Sequence, residues 1–239
     1  MRANDSVFSG RKEFSSTTRA YQEAFREIHR LMRQDIDRGD PVEYGFEIEP
    51  SGRGMVRLGH LIRGDERSVA SGRSSNPWGF LAPPRIGSWG GSADMPSGHS
   101  HPRNNPMTMN CASSADVLEM LQSRPLGGKL MHAIYDHKTG LGYKFELDKN
   151  VRIPPALLRQ DGPQTAQEIK DSAHWLRQQL NNGTLNVTLI VAAGGGSFVP
   201  SFGMAVGPRD DSQSRSVVID LPPRSIRIAP DLLRFPYVY

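Results

Sequence analysis

The sequence predicts an α/β fold, and three observations carry that prediction. Between Ser16 and Ile36, Tyr21, Ala24, Phe25, Ile28, Leu31 and Met32 recur at three- and four-residue steps, the signature of a helix with one apolar face. Between Val42 and Glu49, Tyr44, Phe46 and Ile48 alternate with Glu43, Glu47 and Glu49, the signature of a strand with one apolar face. Further along, strand-like and helical patterns follow one another: a hairpin over 129–147, a helix over 165–180 and a β-like run over 185–193.

Taken in order, residues 1–15 are polar and read as a loosely ordered N-terminus. Ser16, Thr17 or Thr18 can cap the first helix, and the segment from Asp37 to Pro41 ends it. His29 on that helix reads as a solvated or core-edge residue. A strand over 42–49 and a second over 55–62 follow, the latter carrying His60 as a structural histidine. Residues 63–98 break the pattern with Gly, Ser and Pro, among which Trp78, Phe80 and Trp89 are spaced. Aromatic side chains on a loop of that length can cover a cleft or grip a partner, or simply pin the loop to the body.

Gly98 to Pro102 forms a short strand, ended by a proline that cannot donate to a ladder. Ser114 to Ser123 is a short helix, with Ser113 as its N-cap and Asp116 in its first turn. Lys129 to Leu147 is a hairpin turning at Lys138-Thr139-Gly140. His132 and His137 are an odd five residues apart, so they face opposite ways and read as structural. Cys111 reads as a buried, inert thiol. After Asn150 comes an extension, 151–239, holding the helix at 165–180, the run at 185–193, strand character over 216–228 and an aromatic tail. The domain that carries chemistry therefore spans 16–150.

Composition narrows the function classes. Apolar residues make up 37% of the 239-residue chain and charged residues 23%, as in a soluble globular protein. The net charge of +4 is mild, and the arginines are scattered among acids with no concentrated stripe, so neither a nucleic-acid nor a membrane partner is expected. One cysteine excludes an intramolecular disulfide. No apolar run follows Met1, which points to a cytoplasmic protein or to one secreted without a signal peptide.

The chemistry concentrates in Gly98-His99-Ser100-His101-Pro102 and Ser113-Ser114-Ala115-Asp116. Histidines two apart on a strand project from the same face. Two imidazoles there can grip one divalent metal, and Asp116 is the carboxylate to complete the set. Two histidines and one aspartate leave a fourth position for water, which marks a catalytic zinc site.

This arrangement resembles the JAB/JAMM (MPN+) metallopeptidase family, whose signature is an upstream glutamate, then His-x-His-Pro, then Ser-x-x-Asp. His99-Ser100-His101-Pro102 and Ser113-x-x-Asp116 match it, with eleven residues, Pro102 to Ala112, forming a longer spacer than the family's usual one. The resemblance covers about residues 17–147. It implies a mixed, curved sheet flanked by helices, of the cytidine-deaminase-like kind, with Zn²⁺ held by His99, His101 and Asp116. It selects Glu43 as the catalytic base, with Glu47 as the alternative, and gives Ser113 the oxyanion. It also makes the aromatic loop with Trp78, Phe80 and Trp89 a substrate-side flap. The implied partner is a protein or peptide, such as a ubiquitin-like conjugate. The competing readings are a non-catalytic MPN-like scaffold and a secreted bacterial effector using the same fold.

Overall fold

A computed structural model describes residues 12–40, 42–59, 61–64, 96–101, 111–112, 114–137, 140–158, 165–191, 202–206, 217–221 and 226–228. The chain runs β1 (Glu13–Phe14), α1 (Thr17–Asp37), β2 (Tyr44–Gly52), β3 (Met55–Leu58), β4 (Ile62–Arg63), β5 (Ser97–His101), β6 (Cys111–Ala112), α2 (Ser114–Gln122), β7 (Lys129–Asp136) and β8 (Leu141–Asp148). It continues with α3 (Pro155–Leu158), α4 (Ala166–Asn181), β9 (Leu185–Val191), β10 (Phe202–Val206), β11 (Val217–Leu221) and β12 (Ile226–Ile228).

The main sheet is mixed and ordered β1-β3-β2-β5-β7-β8-β9-β12, with β4 paired to β2. In its middle, β5 lies antiparallel to β2 and parallel to β7. A smaller sheet has the order β11-β10-β6.

Helix α1 covers one face. Ser16 caps it, its hydroxyl accepting from the Arg19 N–H at 3.3 Å. Its buried stripe of Tyr21, Ala24, Phe25, Ile28 and Met32 packs on Tyr44, Phe46 and Ile48 of β2 and on Ala133, Tyr135 and Ile190. The alternation along β2 thus buries its aromatic and aliphatic side chains against the helix, as its pattern dictates. Gly142 on β8 is required by this layer, because a Cβ there would lie 2.3 Å from the Phe25 ring. At the far end of α1, Tyr44 donates its hydroxyl to Asp35, and Arg63 binds both Asp35 and Asp40.

Helices α2, α3 and α4 cover the opposite face. Val117, Met120, Leu121, Leu157, Ala173 and Leu176 meet Leu130, Ile134, Tyr143, Phe145, Val187 and Leu189. A capping box fixes the start of α4: Thr165 accepts from the Glu168 N–H, and the Glu168 carboxylate accepts from the Thr165 N–H.

Three features differ from the sequence expectation. The strand expected over 55–62 is two pieces, β3 and β4. Residues after Asn150 are woven into the core: β9 pairs with β8 along its length, β12 pairs with β9, and β10 pairs with β6. The short helix α3 and strand β10 carry no periodic signal long enough to be read. Ser113, Trp78, Phe80, Trp89 and His60, together with residues 1–11 and the tail from 229, lie outside the described residues. Among the described residues, no helix is long and apolar enough to cross a membrane.

Candidate metal centre

Strand β5 is buried along its whole length. Its pleat sends Ser97, His99 and His101 towards α2, while Gly98 and Ser100 turn towards α1. The α1 side holds the strand in place: Tyr21 donates to the Ser97 carbonyl at 3.0 Å, and the Ser100 hydroxyl accepts from the Tyr44 N–H at 2.9 Å. Helix α2 arrives on the other side with Asp116 in its first turn. Asp116 and Glu119 are three apart, so both carboxylates lie on one stripe of the helix.

The expected trio comes together. His99 Nε2 lies 3.1 Å from His101 Nε2 and 3.3 Å from Asp116 Oδ1, and His101 Nε2 lies 3.8 Å from Asp116 Oδ2. All three residues are buried, each less than 8% exposed. Ligand atoms about 2.0–2.1 Å from a tetrahedral zinc lie about 3.3 Å apart, so this triangle is of the size one ion requires.

A fourth residue belongs to the cluster, which corrects the reading of His132 as structural. β7 runs parallel to β5, with His132 in register with Ser97, so its ring points to the same face as the His-x-His pair. His132 Nε2 lies 3.0 Å from His99 Nδ1. His99, Asp116 and His132 offer ligand atoms within 4.8 Å of one another, a buried group that could hold a metal ion. Behind His132, its Nδ1 is 2.7 Å from the Ser97 hydroxyl, which donates to Glu119 Oε1 at 2.6 Å. His137 faces the other way, as its spacing requires, and stacks on His29, whose Nδ1 meets the Tyr135 hydroxyl.

Burial sets the charge state. Desolvation pushes the His132 pKa down to about 4, against the opposing attraction of Asp116. It lowers His99 in the same way. Both rings are therefore neutral at neutral pH and present lone pairs, the form that a cation needs.

Glu43 and Glu47 sit differently. Glu47 lies within β2, buried, paired with Ser97 on the cluster's face. Glu43 is half-buried just before β2 and accepts the Gly64 N–H at its carbonyl. The β2–β5 ladder ends at Gly45 and His99, two residues short of Glu43.

Comparison with protein-family models, curated proteins and solved structures finds no match to this chain.

Proposed function

We propose that this protein is a zinc-dependent peptidase or isopeptidase of the JAMM kind. The observation that carries the reading is the convergence of His99 Nε2, His101 Nε2 and one Asp116 carboxylate within 3.1–3.8 Å, in a triangle sized for a single ion. The His-x-His-Pro and Ser-x-x-Asp spacing supports the same assignment.

A divalent ion held there would polarise a scissile carbonyl and supply a water that is a usable nucleophile near neutral pH. His99 and His101 would supply imidazole nitrogens and Asp116 a carboxylate oxygen to hold it. Glu43 accepts the proton of the attacking water and returns it to the leaving amine. The family resemblance selects it over Glu47, which pairs with Ser97 at the end of the β2–β5 ladder away from Glu43. Ser113, one residue before α2, donates to the developing oxyanion, as the family resemblance implies. The segment carrying Trp78, Phe80 and Trp89 is assigned, from the family resemblance, to contact with the protein or peptide substrate.

The test joins metal analysis to cleavage of a panel of peptides and ubiquitin-like conjugates. Wild type should hold one zinc per chain and cleave at least one member, and Glu43→Ala should keep the zinc and lose cleavage. Absence of stoichiometric zinc in the wild type would overturn the reading. Retained zinc with no cleavage of any substrate would favour a binding scaffold.

A further inference from the structure

We infer that Glu119, Ser97 and His132 form a one-way hydrogen-bond chain that dictates which nitrogen of His99 faces the metal, making His132 a positioning residue behind the site and not a ligand. This rests on the metal reading above for its purpose, but the proton order itself follows from the geometry alone.

The argument starts at the acid. A carboxylate has no proton to give, so at 2.6 Å the Ser97 hydroxyl must donate to Glu119 Oε1. If it turned its hydrogen elsewhere, two lone pairs would face each other at that distance. The hydroxyl's single hydrogen is then committed, and its oxygen can only accept from His132 Nδ1 at 2.7 Å. His132 Nδ1 therefore carries the proton. A neutral imidazole has one N–H, so His132 Nε2 is left as an acceptor. Its neighbour at 3.0 Å is His99 Nδ1, which must donate. His99 Nε2 thereby keeps its lone pair, accepting in the metal-free protein from His101 Nε2–H at 3.1 Å, and this atom lies 3.3 Å from Asp116.

The same order removes His132 from the ligand set. Its only lone pair is used on the His99 N–H, so the neighbouring trio His99, Asp116 and His132, although compact, cannot bind an ion without breaking the chain. Outer partners of this type orient a ligating imidazole and raise its basicity. They also hold the ring through residues on three separate elements: β5, β7 and α2.

The first measurement is histidine tautomer assignment by long-range ¹H–¹⁵N correlation on the metal-free wild-type protein. Both His99 and His132 should be Nδ1–H tautomers; an Nε2–H signal from either overturns the proton order. Because no metal is present, this result is independent of whether zinc binds. The second is zinc affinity by chelator competition. His132→Leu should weaken binding by about 10- to 100-fold. His132→Gln, whose amide oxygen can accept from His99 Nδ1–H, should recover most of it. Loss in His132→Leu as complete as in His99→Ala, with no recovery in the glutamine variant, would make His132 a ligand and overturn the inference. An affinity unchanged within twofold would overturn it as well. A wild type that shows both Nδ1–H tautomers yet takes no zinc would end the peptidase reading and leave the proton order standing.

Discussion

The ring of Phe46 on β2 fills the space that a side chain at Gly98 would need: a Cβ on Gly98 would lie 2.7 Å from Phe46 Cζ and 3.1 Å from the Ala133 carbonyl. Gly98 is flanked by Ser97 and His99, so the fit of one aromatic ring sets the height of the strand that presents the histidines. Gly98→Ala is expected to destabilise the protein by about 1–3 kcal/mol through overpacking. The relief available is a shift of β5, so zinc affinity should fall too. Denaturant unfolding and chelator titration of the same variant check both.

Tyr21 reaches the same strand from α1. Removing its hydroxyl in Tyr21→Phe leaves the Ser97 carbonyl without that donor, and should cost about 1 kcal/mol. The phenylalanine ring keeps the packing against Phe25 and Phe46, so the loss should appear without a change in the unfolding m-value.

Zinc should stabilise the folded chain by mass action. At a free concentration 100 times the dissociation constant the gain is about 2.7 kcal/mol, a rise in Tm of roughly 5–10 °C for a chain of this size. Asp116→Asn keeps the shape of the side chain and removes its charge. It should weaken zinc binding by more than about 100-fold, since the loss of a ligand exceeds that of an outer partner. The zinc-induced shift in Tm should vanish with it.

Acid should destabilise the metal-free protein through the buried histidines of the site. His132 has its pKa pushed to about 4 in the fold and returns to about 6.5 when unfolded. The unfolded chain therefore binds the extra proton between those values. The contribution is complete above pH 6.5 and drains away as the pH falls towards 4, about 2 kcal/mol being lost by pH 5. His99 is shifted in the same direction and adds to the slope. Urea midpoints measured from pH 7.5 to 4.5 should fall accordingly, and His132→Gln should flatten the curve.

Much of this architecture was legible because the relevant signals are local. The steps of Tyr21, Phe25, Ile28 and Met32 place α1 within a residue of its observed ends, and the helix expected over 165–180 is α4, Ala166–Asn181. The parity of His99 and His101 predicts their shared face, and the spacing from Ser113 predicts Asp116 in the first turn of α2. His132 escaped because a strand's own alternation says only which neighbours share a face, not which face lies towards another strand. That depends on the register of β7 against β5, a contact between residues far apart in the chain. Glu119 did leave a local mark, three residues after Asp116 on the same helical stripe. Strand β10, five residues containing a glycine, acquires its identity only by pairing with β6 and β11.

Because β5 and β7 point the same way, the chain must travel back across the sheet before His132 can stand next to Ser97, and α2 is part of that return. The segment that topology demands as a connector is also the segment that delivers both acids. Shortening it would not merely tighten a link between two strands; it would carry Asp116 and Glu119 away from the imidazoles they serve.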